Sequence, residues 1–272
     1  MSQYFKITGK PIKYKRIVFV LVVFLSFFFI MDPVRADFNE EDNKLASLIQ
    51  RMKPGIVSIG TFYFKDKPMV KFSGTGFVIG KGSRIVTNHH VIAFIREKKQ
   101  VFNLRIFHKD LPVKGIKAEI LAEDKFHDLA ILGIQEKTLL PLPLGKERRI
   151  KEGHKIAFTG YPIGFILGLH PTTHTGIISA IAPIILPSPS ASIINGDLIK
   201  HLKKPFDIFQ IDAAAYPGNS GSPVYWIATG EVVGVINMVF IKGKKEHVLK
   251  EPTGITYAIP IQFVHELNQT IP

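Results

Sequence analysis

The sequence of 272 residues predicts an all-β fold, and two observations support that prediction. Short apolar or alternating runs recur along most of the chain, and Gly, Pro, Lys or Asp separate them. Many short strands with turn signals between them are typical of an all-β sandwich or barrel. Helical segments of about 10–15 residues do not alternate with these runs, which disfavours a parallel α/β sheet. The chain has no cysteine, so disulfides and thiol chemistry are excluded.

The first element along the chain is a predicted export signal. Residues 1–16 are basic, and residues 17–31 follow as an uncharged, apolar-dominated run that ends before Pro33. The residues up to Ala36 then show the small-residue spacing that signal peptidase reads. The run is shorter than the roughly 20 apolar residues of a membrane span. We therefore predict a signal peptide over residues 1–36, with an uncleaved anchor as the alternative, on an exported protein that is periplasmic or secreted.

A short helix and a series of strands are predicted next. Asn39 can cap the helix, apolar residues recur at helical spacing as far as Met52, and Pro54 ends it. A second helix is predicted after Pro260, at the end of the chain. The predicted strands between the two helices are IVSIG, FVIG, RIVTN, LRIF, LAILGI, KIAFTG, GIISAI, FDIFQID, VVGVINMVF and GITYAIP.

Residues 182–206 interrupt the strand pattern. They are rich in Pro, Ser and apolar residues and carry a basic patch, which predicts a long loop with one helical turn. Long loops in compact domains tend to be functional or mobile. The formal net charge of the chain is +13, and for an exported protein a basic patch favours an anionic membrane surface over nucleic acid. We predict that this loop contacts a membrane surface or a neighbouring subunit, with an insertion without function as the alternative.

Three separated segments carry the groups that hydroxyl attack on a carbonyl needs: TNHHV, EDKFHDLAIL and YPGNSGSP. The serine hydroxyl needs a base, and an imidazole, whose ordinary pKa is about 6.5, accepts a proton near neutral pH. The imidazole needs a carboxylate that holds its tautomer. The developing oxyanion needs backbone N–H donors, and glycines around a serine allow a turn that aims them. His, Asp and Ser occur in that order along the chain.

Together these segments resemble the signature segments of chymotrypsin-fold, trypsin-like serine proteases, and most closely those of the exported HtrA/Deg group. GTGFVI, GYPIG, GIISAI, EVVGVINM and TYAIP agree with the same group. The resemblance covers nearly all of residues 50–265. It implies a protease domain over residues 37–272 made of two antiparallel six-stranded β-barrels with the site between them. The first barrel would occupy about residues 50–140 and the second about residues 150–260.

The resemblance also assigns a catalytic role to one polar residue in each of the three segments. It makes His90 the general base, Asp128 the carboxylate that orients it, and Ser220 the nucleophile. The backbone N–H groups of Gly218 and Ser220 would form the oxyanion hole. No cofactor is implied.

Two neighbours of these residues leave alternatives open. Asp124 lies four residues before Asp128 in a polar turn and is the rival for the orienting carboxylate. His89 directly precedes His90, and a supporting role for it is not excluded. A metal site is disfavoured, because Pro171 stands between the only two histidines with the spacing of a helical zinc ligand pair.

The resemblance implies a primary substrate pocket that is walled by residues before the nucleophile and by a strand after it. Position six before Ser220 is an alanine, so no carboxylate favours Lys or Arg there. We predict a preference for small or medium aliphatic side chains. Tyr216 and Ser222 stand where the group often has Asn and Gly. The predicted pocket residues are Ala214, Ala215, Tyr216, Ile236, Asn237 and Met238.

The sequence therefore predicts an exported serine endopeptidase that hydrolyses proteins, in particular unfolded or damaged ones, through an acyl-enzyme. The resemblance implies protein or peptide substrates and assembly into a homotrimer. Members of the group often carry a PDZ domain after the protease domain, and none is expected here. The alternative is a proteolytically silent or latent chaperone-like binding protein of the same fold.

Overall fold

The computed structural model describes residues 35–98, 103–135, 138–146, 150–162, 170–184, 205–238 and 254–272. Within these ranges the helices are α1 (Arg35–Met52), α2 (His89–Glu97) and α3 (Gln262–Gln269). The strands are β1 (Ile56–Phe62), β2 (Val70–Ile79), β3 (Arg84–Thr87), β4 (Leu104–Phe107), β5 (Ile116–Lys117), β6 (Glu119–Asp124), β7 (Leu129–Gly133), β8 (Lys155–Gly160), β9 (Thr172–Pro183), β10 (Asp207–Asp212), β11 (Pro223–Trp226), β12 (Val232–Asn237) and β13 (Ile255–Pro260).

The first seven strands form one antiparallel sheet in the order β5-β4-β1-β2-β3-β7-β6. The edge strands β5 and β6 are separated in the chain by Ala118 alone, so the sheet has to curl until its edges approach each other. A register shift between Ile59 and Gly60 adds a bulge where β1 pairs with β2, and bulges increase the bend of a sheet. The sheet is the first predicted barrel, although its hydrogen bonding does not close.

The last six strands form a closed antiparallel barrel in the order β10-β13-β12-β11-β8-β9. Alternating side chains fill its interior, among them Phe158, Val224 and Ile236, which are buried. A second apolar cluster takes residues from both sheets, such as Phe77 of β2 and Tyr225 of β11. The two sheets therefore pack through a shared core, and the prediction of an all-β double barrel is confirmed.

The helices differ from the sequence predictions in two places. Helix α1 begins at Arg35, so Asn39 lies inside the helix and not at its N-cap. Neither Pro nor Gly lies between Pro33 and Asn39 to delay the start of the helix. Helix α2 was not predicted, although its buried residues Val91, Ile92 and Ile95 have helical spacing. The predicted closing helix is present as α3.

Two predicted segments lie outside the described ranges. They are the apolar run 17–31 and the central residues 185–204 of the loop at 182–206. Among the helices that the structure does describe, none is long and apolar enough to cross a membrane.

Candidate active site

Asp128 lies in the turn between β6 and β7 and holds the N-terminus of α2. Its φ of 53° is in the left-handed region, which Asp and Asn enter more readily than most residues. Its carbonyl oxygen accepts the N–H of His89 and the side-chain amide of Asn88, both at 3.1 Å. Its carboxylate Oδ1 accepts the N–H of His90 at 2.8 Å. The first N–H groups of a helix have no partner within the helix, and here a distant aspartate supplies one.

The second carboxylate oxygen of Asp128 holds the imidazole of His90. Nδ1 of His90 lies 2.6 Å from Oδ2, and the side-chain amide of Asn237 donates to the same oxygen at 2.7 Å. Asn237 is fully buried at the end of β12, whereas the side chain of His90 is 30% exposed. An ionised carboxylate can only accept hydrogen bonds, so Nδ1 carries a proton and Nε2 is available as an acceptor.

The segment that carries Ser220 begins with a tight turn. The N–H of Asn219 donates to the carbonyl of Tyr216 at 2.9 Å. Gly218 occupies the third position of this turn with a φ of 102°, as a type II turn requires, and Pro217 suits the second position. The Pro-Gly-Asn order is therefore explained by the turn itself.

A second turn of the same kind follows at once. The N–H of Ser222 donates to the carbonyl of Asn219 at 2.9 Å, and Gly221 takes the third position with a φ of 86°. Ser220 lies between the two glycines. Its carbonyl accepts the N–H of Thr75 on β2 at 2.9 Å, which fastens the second turn to the first sheet.

Two N–H groups of this segment have no acceptor. Across the part of the chain that the structure describes, neither the N–H of Gly218 nor that of Ser220 donates a hydrogen bond. The N–H groups of Asn219, Gly221 and Ser222 all do. Two unpaired donors beside a serine hydroxyl can receive an oxygen that becomes negatively charged.

Gly74 on β2 brings Ser220 close to the helix that carries His90. A Cβ built on Gly74 would lie 2.7 Å from Cγ2 of Val91 and 3.1 Å from the carbonyl oxygen of Ser220. Only a glycine therefore fits between Ser220 and the residue after His90. Ser220 is 6% exposed, and among the described residues no hydrogen bond joins its hydroxyl to His90.

Asp124, the rival carboxylate, serves its own turn. Its Oδ1 accepts the N–H groups of Phe126 and His127 at 2.9 and 3.1 Å, and its Oδ2 lies 2.5 Å from Nδ1 of His127. Burial opposes ionisation of Asp124, but the hydrogen bonds and charge of His127 outweigh it and hold the pKa of Asp124 below its ordinary value. The structure therefore pairs Asp124 with His127 and not with His90.

His89 is held by a separate hydrogen bond. Its Nδ1 lies 3.0 Å from Oε1 of Glu123, whose other oxygen accepts from Arg96 at 2.7 Å. This arrangement turns the His89 ring toward β6, while the neighbouring His90 ring faces Asp128.

The predicted pocket residues do not all offer their side chains to a substrate. Ile236 is fully buried in the apolar core of the second barrel, and Asn237 is committed to Asp128. Ala214 and Tyr216 are half-buried, and Met238 packs at the margin of the same core. Ala215 is buried, with its N–H on the hydroxyl of a threonine of β13 at 2.9 Å.

Sequence reasoning missed two supporting residues, Thr256 and Thr75, and gave a third, Asn237, the role of a pocket residue. Thr256 accepts the N–H of Ala215 and donates to the carbonyl of Ala213 at 2.5 Å, so it holds the segment that precedes the turn of Ser220. Thr75 contacts the turn of Ser220, and Asn237 supports Asp128. The one available signal in the sequence was a lone polar residue in an apolar strand. Such a residue indicates that a hydrogen-bond partner exists, but not which residue it is.

The described residues contain no group of three or more His, Cys, Asp or Glu placed to hold a metal ion. His174 lies in β9 with its ring stacked on Phe158 at 4.9 Å, so the spacing of a helical ligand pair is not realised there.

Comparison with known proteins identifies the family. A family model described as "Trypsin-like peptidase domain" matches residues 74–235, which is more than half of the chain. The chain belongs to the trypsin-like peptidase family. Within this family it is similar to the "Probable periplasmic serine endoprotease DegP-like" of Hahella chejuensis, with 31% identity over 70% of this chain and 33% of that protein. It is likewise similar to the "Serine protease HTRA2, mitochondrial" of Drosophila virilis, with 31% identity over 74% of this chain and 40% of that protein.

A solved structure extends the likeness from sequence to fold. The crystal structure of Deg5 matches this chain with a TM-score of 0.57 and 26% sequence identity. The match covers 84% of this chain and 93% of the Deg5 chain. The chain spans 33% and 40% of the length of the two curated relatives above. The similarity to these relatives and to Deg5 shows that this trypsin-like peptidase is of the HtrA type, as the resemblance predicted.

Proposed function

We propose that this protein is an HtrA-type serine endopeptidase that works through His90, Asp128 and Ser220. The observation that carries the proposal is the hydrogen bond of 2.6 Å between Nδ1 of His90 and Oδ2 of Asp128. It lies beside the turn whose N–H groups at Gly218 and Ser220 are unpaired among the described residues. Membership of the trypsin-like peptidase family supports the same reaction class.

In the proposed mechanism, Oγ of Ser220 attacks the carbonyl carbon of the scissile peptide and gives its proton to Nε2 of His90. Asp128 stabilises the imidazolium that forms. The N–H groups of Gly218 and Ser220 donate hydrogen bonds to the oxyanion of the tetrahedral intermediate. Breakage of the C–N bond releases the amine, which takes the proton from His90, and leaves an acyl group on Ser220. Water, deprotonated by His90, then attacks the acyl group and releases the acid.

The first step requires a new hydrogen bond between Ser220 and His90. None joins them among the described residues, so the serine side chain has to rotate onto Nε2 of the imidazole. Hydrogen bonds of this kind often tighten only in the substrate complex. Bound substrate is therefore expected to complete the constellation.

We propose protein substrates, in particular unfolded or damaged ones, with a small or medium aliphatic residue before the cut. Ala214 stands where a carboxylate would favour a basic side chain, and we expect the half-buried Tyr216 to narrow the pocket. Cleavage of a peptide library mainly after Lys or Arg would contradict this preference.

Export is supported by the basic and apolar start of the chain and by the periplasmic relatives' names.

We also propose a homotrimer and a membrane contact through residues 182–206. Sedimentation analysis and binding to anionic liposomes test these two proposals separately, with a variant lacking residues 185–200 as the comparison for the liposomes.

The decisive experiment is labelling of the purified protein with a fluorophosphonate probe, followed by digestion of casein. Ser220→Ala and His90→Ala should each lower activity by about 10⁴–10⁶-fold, and the double variant should be no worse, because the residues act as a unit. Ser179→Ala removes an exposed serine hydroxyl of β9 and should label and digest like the wild type.

Each outcome bears on the proposal. Labelling that depends on Ser220, together with casein cleavage, supports the endopeptidase. Labelling without cleavage supports the nucleophile and limits the proposal to a narrow range of substrates. A folded protein that does not label, but binds unfolded chains, would overturn the proposal in favour of the silent chaperone-like alternative.

A further inference from the structure

We infer that Thr75 is a positioning residue that sets the oxyanion hole of the proposed site. This inference rests on the proposed role of Ser220. Thr75 lies on β2 in the first sheet and is fully buried. It contacts the nucleophile turn, residues 216–222, through its main chain and its side chain. Its Oγ1 donates to the carbonyl of Gly218 at 2.7 Å, and its N–H donates to the carbonyl of Ser220 at 2.9 Å.

These two hydrogen bonds fix alternate peptide groups of the turn. In a trans peptide the C=O and N–H point in opposite directions. The peptide that begins at Gly218 is held by Thr75 at its carbonyl, and at its N–H by the carbonyl of Tyr216 at 2.9 Å. The peptide that begins at Ser220 is held by Thr75 at its carbonyl, and at its N–H by the carbonyl of Ile236 at 3.0 Å. The peptides that end at Gly218 and at Ser220 alternate with these two peptides and carry the unpaired N–H groups.

The hydroxyl of Thr75 is itself oriented. Its Oγ1 accepts the N–H of Tyr161 at 3.0 Å, and because a backbone N–H can only donate, the single hydroxyl proton of Thr75 is available to Gly218. The carbonyl of Thr75 accepts the hydroxyl of Thr87 at 2.8 Å. A β-branched side chain is stiff at χ1, so Thr75 presents its proton from a fixed place.

Gly218 is the residue that most needs this restraint. It has a φ of 102°, and glycine moves between backbone conformations more freely than any other residue. The carbonyl of Gly218 and its unpaired N–H are joined through the same Cα, so a rotation that releases the carbonyl also re-aims the N–H. Without the Thr75 hydroxyl, the donor at Gly218 loses the side-chain contact that aims it.

The test compares Thr75→Val, which keeps the shape and removes the hydroxyl, with Thr75→Ser, which keeps the hydroxyl. Loss of an oxyanion donor costs about 10²–10³-fold in kcat, and a donor that is present but less well aimed should cost about 10–100-fold. We expect Thr75→Val to lower kcat and the fluorophosphonate labelling rate by that factor with KM within about threefold, since the hydroxyl acts on the transition state. Thr75→Ser should restore both.

Thr159→Val is the matched control. Thr159 is also a fully buried threonine, and its hydroxyl bonds Thr173 and Tyr225 at 2.8 Å, away from the nucleophile turn. It should lower the unfolding temperature and leave kcat unchanged. Equal kcat in Thr75→Val and the wild type, or an equal loss in both valine variants, would overturn the inference.

Two further readouts separate this inference from the proposed function. If the wild type is not labelled at Ser220, the proposed function fails, and deuterium exchange of the peptide 216–222 then decides the role of Thr75. Faster exchange there in Thr75→Val than in Thr159→Val supports positioning, and equal exchange overturns it. If Thr75→Val does not fold, Thr75→Ala against Thr75→Ser makes the same comparison.

Discussion

Asp128 is the residue on which the geometry of the candidate site depends. Its carboxylate accepts three hydrogen bonds, from the N–H and Nδ1 of His90 and from the amide of Asn237. Hydrogen bonds to an ionised acceptor are about twice as strong as neutral ones, which offsets the cost of partly burying the charge. The carboxylate of Asp128 holds both Nδ1 of the His90 imidazole and the backbone N–H of His90, so the ring has little freedom to turn.

A second single residue, His174, should make the stability of the fold depend on pH. Burial lowers the pKa of His174 from its ordinary value of 6.5. The unfolded chain therefore takes up a proton at this residue before the folded chain does, so stability falls as the pH decreases through 6.5 and the fall ends below the folded pKa. Urea unfolding at about pH 7 and about pH 5 should show a smaller acid-induced loss for His174→Gln than for the wild type.

The control for this prediction is His170→Gln. His170 is exposed four residues earlier in the chain, and its variant should follow the wild type at both pH values. An acid-induced loss in His174→Gln as large as that of the wild type would contradict the assignment of the effect to His174.

At the scale of elements, a helix start and a pair of turns build the site. Helix α2 begins at His89, buries Val91, Ile92 and Ile95 against the first sheet, and has its first N–H groups held by Asp128. The start of the helix is therefore coupled to the β6–β7 turn. The two turns around Ser220 are fastened to β2 and β12 in the same way, by main-chain hydrogen bonds to other elements.

Gly221 is the position where the pair of turns around Ser220 is most sensitive to substitution. Its φ is 86°, and an added Cβ would collide with the carbonyl oxygen of Thr75. Gly221→Ala should lower the labelling rate of Ser220 by at least about 100-fold, since a displacement of about 1 Å can cost that much. Gly80→Ala is the matched control, because Gly80 also has a positive φ of 64° but meets nothing within 4 Å. It should lose about 1–2 kcal/mol of stability and keep its labelling rate. Equal labelling of the two variants would contradict the prediction.

On the scale of the whole molecule, the two sheets share an apolar core and α3 reaches across them. Helix α3 follows the last strand of the second barrel and packs on β6 and β7 of the first sheet. Arg84 of β3 donates to Asn268 at 2.9 Å and to the carbonyl of Pro272 at 3.0 Å. The ring of Phe263 stacks on His127 with the centroids 3.8 Å apart. The C-terminal helix thus supports the turn that leads into Asp128.

Phe263→Ala tests this support. Phe263 is 7% exposed and also contacts Phe206 at a centroid distance of 5.1 Å, so its truncation should lower the free energy of unfolding by about 3–5 kcal/mol. Urea unfolding measures the change. Phe64→Ala, at a residue that is 68% exposed, should change it by no more than about 0.5 kcal/mol. A similar small change in both variants would show that α3 contributes little to the core.

The all-β class, the closing helix and the family could be predicted from the sequence alone. These rest on local patterns: alternating apolar runs, and the Pro-Gly-Asn-Ser-Gly order that two successive turns with positive φ require. The start of α1 and the whole of α2 were less accessible, because helical and strand-like patterns overlap in short apolar segments such as the one after His90.

The pairing of each carboxylate with its histidine, in contrast, becomes visible only in the folded chain. Asp124, Asp128 and Glu123 lie within six residues of each other, yet each holds a different imidazole. The choice depends on the direction in which each side chain leaves its strand or turn, and Asp128 leaves from a left-handed backbone that aims it at α2. The same holds for Thr75, whose partners lie more than a hundred residues away in the turn of Ser220. A polar residue in an apolar strand reveals its need for a partner, but the folded chain alone brings that partner within hydrogen-bond distance.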